Sequence, residues 1–369
     1  MTIKFDDILD IYEHHIYKGC KNKRKIYYFE KYKMVNIYSI YDDLVNDKYI
    51  MNSYNIFMIK HPKYRIVMSL NVRDKIVNHY ITMYSLIPKL NKYLDNRNVA
   101  TRKNMGVDYG IKLVKKYIEL NKKYTNFYVL KLDISKYFYN IDHEVLKSMI
   151  IDKLDNDEYK IIAGILDSTN KAYINECIDE LKNKELIYTN RLKEVKDIPY
   201  YNKGKGLPIG NMTSQFFAIF YLYELDHYIV NDLEIKYMIR YMDDYVLIHH
   251  DKEYLKKCMS IIEDILNNKY KLKLNVKKSR IYDINDGFDF LGYKFKVKNS
   301  KTICYVSRKT FLTIKKRIKK TKKNYKVDSF ETIYSTVNNY YYGFKYCRSL
   351  PIKRYINREF FSNYCTNEK

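Results

Sequence analysis

Asp243 and Asp244 stand side by side in the run Tyr241-Met242-Asp243-Asp244, and a third carboxylate, Asp133, closes the run Leu130-Lys131-Leu132-Asp133 far upstream. Three such side chains meeting at strand ends would cradle two divalent ions. Nucleotidyl transfer needs that arrangement: two ions about 3.5–4 Å apart, one lowering the pKa of an attacking 3′-hydroxyl and one holding a triphosphate. Carboxylates are the hard oxygen ligands that magnesium prefers, and few are needed because phosphate oxygens and water complete its shell. An Asp-Asp pair alone reads equally well as a solvated surface turn. Met238, Val246 and Leu247 in the flanking runs favour a buried hairpin that holds the pair.

The elements that must position these acids follow from apolar periodicity. Residues 127–134 (FYVLKLDI) form a β-rich run ending at Asp133, and residues 235–241 and 245–249 predict a hairpin with the acidic pair at its tip. Asp142 is placed to cap a helix running through Met149. Residues 152–200 read as helical, with a polar and charged turn region near 182–202. Gly204, Gly206, Pro208 and Gly210 punctuate the next loop, and residues 213–230 predict one helix. Residues 255–266 predict another helix, and residues 288–297 a β-like run containing Gly292. Toward the N-terminus, Phe5, Ile8, Leu9, Tyr12 and Ile16 recur at helical spacing. Residues 56–68 read as two short strands broken at His61-Pro62, followed by helices over 71–88 and 108–120.

The chain has 369 residues, 46% of them hydrophobic, enough for two or three domains with ordinary cores. Lys and Arg number 68 against 43 Asp and Glu, a net charge of +25 that suits a polyanionic partner whose counterions are released on binding. A composition heavy in Lys, Asn, Ile and Tyr without Trp also fits an AT-rich coding sequence, which accounts for Lys over Arg better than for the net charge. The charge concentrates over residues 308–326, where Arg308, Lys309, Lys315, Lys316, Arg317, Lys319, Lys320, Lys322, Lys323 and Lys326 surround an apolar stripe of Phe311, Ile314 and Ile318. A small helical basic domain is expected there. The six cysteines, Cys20, Cys177, Cys258, Cys304, Cys347 and Cys365, include no Cys-x-x-Cys pair, so neither a zinc ribbon nor a redox motif is supported. The N-terminus lacks the apolar core of a signal peptide, and no run approaches the roughly 20 apolar residues of a membrane span. A reduced, cytoplasmic setting without membrane contact is the expectation.

Five blocks stand in the order of the reverse transcriptases, the RNA-directed DNA polymerases with a right-hand fold, and the chain resembles that family. They are Leu130 to His143 around Asp133 and Phe138, Gly206-Leu-Pro-Ile-Gly210-Asn-Met-Thr-Ser-Gln215, and Tyr241-Met-Asp-Asp244. Leu272-Lys-Leu-Asn275 with Lys277-Lys278-Ser279, and Phe290-Leu291-Gly292-Tyr293, complete the set. Upstream, Pro62-Lys63-Tyr64-Arg65, Val72-Arg73-Asp74 and Ala100-Thr-Arg102-Lys103-Asn-Met-Gly106 are similar to fingers motifs of bacterial members. The resemblance implies an α+β fold with fingers, a palm of antiparallel sheet backed by helices, and a helical thumb. It divides the chain into an N-terminal helical extension (1–54), fingers (55–125), palm (126–297, with a fingers insertion at about 152–205) and basic helical thumb (298–369).

The same resemblance implies roles. Asp133 and Asp243 take the positions of the principal metal ligands and Asp244 that of the third acid, around two magnesium ions for which manganese can substitute. Phe138 takes the place of an aromatic gate against the ribose 2′-hydroxyl; from composition alone it reads as a core residue. Arg65 resembles the base that clamps the incoming dNTP, and Arg73 and Arg102 phosphate or template contacts, with plain surface charge as the alternative. Gly210 lets backbone approach the nascent pair. Gln215 takes a template or primer contact, and Lys278 the position of a basic residue near the triphosphate. Phe290, Leu291 and Gly292 resemble the primer grip. The basic helix with Lys315, Lys316, Lys319, Lys320 and Lys323 fits a thumb that tracks an RNA–DNA duplex through its phosphates. Residues 337–348 also resemble a thumb segment, whose tyrosines either pack on the nucleic acid or form helical core.

Many relatives carry Gln-Gly in the loop before the middle helix and end that block in Ser-Pro, whereas this chain has Ile209-Gly210 and Ser214-Gln215. That form resembles the enzymes of diversity-generating retroelements, which copy an RNA template with low fidelity at adenines beside a small basic accessory protein. Phage-defence and unclassified bacterial reverse transcriptases are similar as well. No endonuclease motif or ribonuclease H acidic set is recognisable after the thumb.

Overall fold

A computed structural model describes residues 3–20, 22–324, 330–344 and 347–360. Lys326 of the basic run, Lys345 and Tyr346 of the aromatic segment, Cys365 and the first two residues lie outside the described residues. The chain forms two compact units, one made of Met1–Thr101, Ile134–Tyr228 and Ile261–Asn275, the other of Arg102–Asp133, Ile229–Ser260 and Val276–Lys369. The mixed α+β architecture is the one expected, and every pairing between its named strands is antiparallel.

The first unit is mostly helical. Its strands β1 (Asn55–Ile59) and β2 (Arg65–Ser69) pair from Asn55↔Ser69 to Ile59↔Arg65, with the His61-Pro62 break in the turn between them. The helix expected over 71–88 is interrupted: Val72–Ile81, capped by the Asn71 side chain, gives way to a π-helical turn over Thr82–Leu86 and a short helix Ile87–Leu90. The Asp142 cap forms as expected, its carboxylate accepting from the N–H groups of Glu144 and Val145 at the start of His143–Ile150. Met212–Phe220 and Tyr223–Asn231 replace the single helix expected over 213–230. The break falls at Tyr221, which is buried with its hydroxyl donating to the Tyr270 carbonyl at 2.9 Å. A tertiary anchor there outweighs unbroken apolar periodicity.

The second unit holds two sheets. β3 (Tyr128–Asp133), β4 (Tyr237–Tyr241), β5 (Asp244–His249) and β6 (Arg280–Asp283) form the first, in the order β4-β5-β3-β6. Val129, Leu130, Leu132, Met238, Ile239, Val246 and Leu247 are all buried, so this sheet carries apolar packing on both faces. The helix Val107–Asn121 packs on β4, with the rings of Tyr117 and Tyr237 centred 5.3 Å apart.

The second sheet contains β7 (Phe288–Phe290), β8 (Tyr293–Lys298) and β9 (Lys301–Val306). The β-like run expected over 288–297 is therefore a hairpin, turned at Leu291 (φ 49°) and Gly292 (φ 85°). β9 opens the stretch expected to be helical; its Ile303, Cys304, Tyr305 and Val306 suit a strand paired with β8. The basic helix follows as Arg308–Lys323, capped by Ser307. Ile314 and Ile318 bury its apolar stripe against Ile352, Tyr355 and Ile356 of the helix Leu350–Phe360, with Val337 and Tyr340 of Phe330–Tyr342 packed alongside.

Candidate active site

The acids are placed by backbone register. β3 and β5 run antiparallel with Asp133 directly opposite Asp244, and β4 and β5 close at Tyr241↔Asp244. Met242 and Asp243 alone make the turn, so Asp244 is the first residue of a strand and only Asp243 sits at the tip. Met242 takes φ 57°, a left-handed conformation that costs a non-glycine residue about 1–3 kcal/mol and persists only where the surroundings impose it. Arg240, fully buried in β4, donates from its guanidinium to the Met242 carbonyl at 3.1 Å and helps hold that turn. Asp133 is fixed from below by Ser279, whose hydroxyl accepts from the Asp133 N–H at 3.2 Å.

Two lysines meet the carboxylates. Lys278 Nζ lies 2.7 Å from both oxygens of Asp133, with the lysine side chain half exposed. Lys131 Nζ lies 3.3 Å from Asp244 Oδ1 and donates to the Asp289 carbonyl of β7 at 3.0 Å. Lys278 was legible as a motif residue; the role of Lys131 was not. Its signal is a lone cation between Leu130 and Leu132 in an otherwise apolar strand, two residues before Asp133 and so on the same face. Arg240, directly before Tyr241, carries a similar signal.

The electrostatics favour a cation. Burial pushes the Asp243 carboxyl up to about 6, and the neighbouring Asp244 and Asp133 push the same way. Asp244 is also raised, again chiefly by burial, with Lys131 opposing. Asp244 Oδ1 is buried, and it meets Lys131 Nζ at 3.3 Å without a well-aligned hydrogen bond. Among the described residues no group of three or more acidic, His or Cys side chains is arranged as a ready-made cage. Even so, a buried carboxylate oxygen with spare acceptor capacity, a mutually repelling acidic pair and an all-oxygen donor set fit a hard divalent ion. Asp133, Asp243 and Asp244 are the residues that would hold it.

Phe290, Leu291 and Gly292 occupy β7 and the turn to β8 in this same unit, and a Cβ on Gly292 would come within 3.1 Å of Thr310 Oγ1. Lys316, Lys319, Lys320 and Lys323 are exposed on the basic helix, while Lys315 lies over the Phe311 and Tyr355 rings. Arg102 precedes the helix Val107–Asn121 and is half-buried.

Arg65, Arg73, Phe138, Gly210 and Gln215 belong to the other unit. Arg65 starts β2 and is exposed. Arg73 is engaged within the fold: its guanidinium pairs with Asp43 at 2.6 Å and Asp74 at 3.1 Å, donates to the Ile50 carbonyl, and stacks over Tyr49. Phe138 is half-buried, its carbonyl accepting from the Leu207 N–H. Gly210 has φ 123°, and a Cβ there would come within 3.1 Å of Val67 Cγ1. The preceding Ile209 accepts from the Met68 N–H at 3.0 Å, which ties the loop to β2. Gln215 is the exposed residue of a helix whose Thr213, Ser214, Phe216 and Phe217 are buried.

Residues 58–295 match the family described as reverse transcriptase (RNA-dependent DNA polymerase). No curated protein matches the chain. Among solved structures, a telomerase from Candida albicans in complex with a fragment of telomeric RNA aligns at 12% identity over 86% of this chain and 55% of that one, with a TM-score of 0.51. An apo telomerase from Candida tropicalis aligns at 14% identity over 68% of this chain and 54% of that one, with a TM-score of 0.47. The chain thus spans about half the length of these solved chains. At such identity the Candida albicans likeness speaks to the fold alone. No helix among the described residues is long and apolar enough to cross a membrane.

Proposed function

The chain belongs to the reverse transcriptase family, and on that premise we propose that it synthesises cDNA from an RNA template by nucleotidyl transfer at Asp133, Asp243 and Asp244. The observation that carries this reading is the pairing of Asp133 with Asp244 across β3 and β5, beside a two-residue turn that presents Asp243. Bound magnesium, or manganese in its place, supplies the charge that favours a 3′-oxyanion and compensates the triphosphate. The residues themselves hold and orient. Asp133, which Lys278 holds at 2.7 Å, would be a ligand of the cation, and the half-exposed Lys278 ammonium would be within the site to meet the triphosphate. Lys131 keeps Asp244 in place. Arg65 clamps the dNTP and Phe138 turns away a ribose 2′-hydroxyl, while Gly210 and Gln215 meet the nascent pair and its strands. Arg102 and Arg73 contact phosphate or template, Arg73 from a guanidinium that is also ion-paired with Asp43 and Asp74 of its own unit. Phe290, Leu291 and Gly292 grip the primer end, and the lysines of Arg308–Lys323 follow the RNA–DNA duplex.

Primer extension on an RNA template with labelled dNTPs, comparing wild type with Asp243→Ala, tests the reading. Incorporation by wild type alone supports it, whereas binding of RNA by both without incorporation makes the protein a non-catalytic RNA binder. Incorporation of ribonucleotides as readily as deoxynucleotides overturns the gate at Phe138.

We assign the enzyme to a diversity-generating retroelement, working with a small basic accessory protein, on the strength of Ile209-Gly210 and Ser214-Gln215. An apolar Ile209 leaves the loop without a polar contact to the base pair, a route to relaxed fidelity. Identical error spectra for wild type and Ile209→Gln would sink that explanation. An antiphage-defence enzyme is the rival, and sequencing the nucleic acid that copurifies separates the two. Adenine-directed errors copied from one RNA support diversification, and repetitive or untemplated DNA supports defence.

A further inference from the structure

Single spacing hid one cysteine pair that the fold assembles. Cys304 is buried in β9, and Cys347 is half-buried ahead of the helix Leu350–Phe360. The backbone holds their two segments side by side: the Arg348 N–H donates to the Cys304 carbonyl at 2.9 Å, and Tyr305 and Arg348 form a parallel β-bridge. Segments bridged this way run about 4.7–4.9 Å apart, inside the Cα–Cα span of about 4.4–6.8 Å that a disulfide accepts. Both are free thiols, and the Cys347 Sγ donates to the Phe344 carbonyl at 3.6 Å.

We propose that Cys304 and Cys347 form a modification site at which a hydroperoxide oxidises the two thiols to an intramolecular disulfide. The disulfide closes the loop that carries the basic helix Arg308–Lys323 and fastens the start of Leu350–Phe360 to β9.

The two thiols have distinct parts. The neighbouring Cys347 and burial raise the Cys304 thiol, while Cys304 beside it lowers Cys347. Lys115 of the helix Val107–Asn121 favours the thiolate at both. The more exposed and more easily ionised Cys347 is therefore the attacking sulfur, and the thiolate is the nucleophile in such chemistry. Its sulfur attacks one peroxide oxygen, the O–O bond breaks, and the second oxygen leaves with a proton as water or alcohol. Cys347 is then a sulfenic acid. Cys304 attacks that sulfur, the S–O bond breaks, and the oxygen leaves as water with the Cys304 proton. Two thiols give up two electrons and two protons, and the peroxide takes both electrons.

The full chain, freed of reductant and treated with hydrogen peroxide, is examined by intact mass and by peptide mapping without reduction. The expected result is a mass lower by two hydrogens, a Cys304–Cys347 crosslinked peptide that dithiothreitol abolishes, and a higher melting temperature than the reduced protein. Cys304→Ser is expected to leave Cys347 as a sulfenic acid that dimedone captures. A wild-type protein whose Cys347 takes up dimedone without any crosslink overturns the proposal, as does a crosslink from either cysteine to a different one. The wild-type map decides this even if the serine variant does not fold.

Discussion

In the sheet β4-β5-β3-β6 the charged groups are few, and each is fixed by something specific. Register places Asp133 against Asp244, Ser279 pins the Asp133 backbone, Arg240 holds the turn, and Lys131 and Lys278 meet individual carboxylates. The basic helix Arg308–Lys323 is built the opposite way. Its core rests on Ile314 and Ile318, and its cations stand outward on successive turns, with Lys316, Lys319, Lys320 and Lys323 all exposed. Chemistry at a point needs one geometry, whereas holding a polyanion needs a density of charge that tolerates loss of any one member. The sheet is therefore predicted to be brittle to single substitutions and the helix to be resilient.

Asp133→Asn tests the brittle side most severely. Losing one ligand forfeits several kcal/mol of charge stabilisation, and at tenfold per ~1.4 kcal/mol primer extension is expected to fall about 10³-fold or more. The melting temperature of the metal-free protein is expected to change little, because relief of repulsion from Asp243 and Asp244 offsets the lost pair with the half-exposed Lys278. A variant with residual activity near wild type would show that Asp133 holds no ion that matters.

Removal of divalent metal exposes what burial and the neighbouring acids do to Asp243. In the metal-free folded protein Asp243 keeps its proton up to about pH 6, while its ordinary value is 3.8. Between those values the folded state binds more protons than the unfolded one, so stability falls as pH rises from about 4 to 6 and is level above. At ~1.4 kcal/mol per unit the loss is of order 3 kcal/mol. Chelator-treated wild type is expected to show this slope in denaturation curves, and Asp243→Asn to lack most of it. A flat profile in wild type would mean that Asp243 is neither buried nor crowded enough to hold its proton.

How much of this was legible in the sequence depends on the kind of force involved. Asp133, Asp243 and Asp244 stood out because ion binding restricts residue type, and the Asp142 cap because capping is local. The division at Leu291-Gly292 was hidden because an apolar run with one glycine reads as a single strand until pairing splits it. The break at Tyr221 was hidden because it answers a tertiary hydrogen bond to Tyr270. Cys304 and Cys347 escaped for the same reason, since only the bridge beside β9 makes them neighbours. Lys131 was visible as a residue and invisible as a contact, because the pairing that brings it to Asp244 is not local.

Lys131→Met probes a support rather than a ligand. The ammonium links Asp244 to the Asp289 carbonyl of β7, so its loss raises the Asp244 carboxyl further and loosens the segment that includes Phe290. Activity is expected to fall about tenfold, the worth of one ~1.4 kcal/mol interaction, and to fall more at pH 6 than at pH 8. An equal loss at both pH values would assign Lys131 a packing role instead.

The smallest effects belong to the helix. Each of Lys316, Lys319, Lys320 and Lys323, changed singly to Ala, is expected to leave the turnover number unchanged and to weaken duplex binding slightly. Each phosphate left without its lysine should lower the slope of log K against log salt by about 1. Changing all four together should add those decrements, because exposed cations that share no partner act independently. The rate of a single bound turnover should stay at the wild-type value throughout. If one lysine alone removed most of the binding, the helix would be holding a specific group rather than a field of phosphates, and the contrast with the sheet would fail.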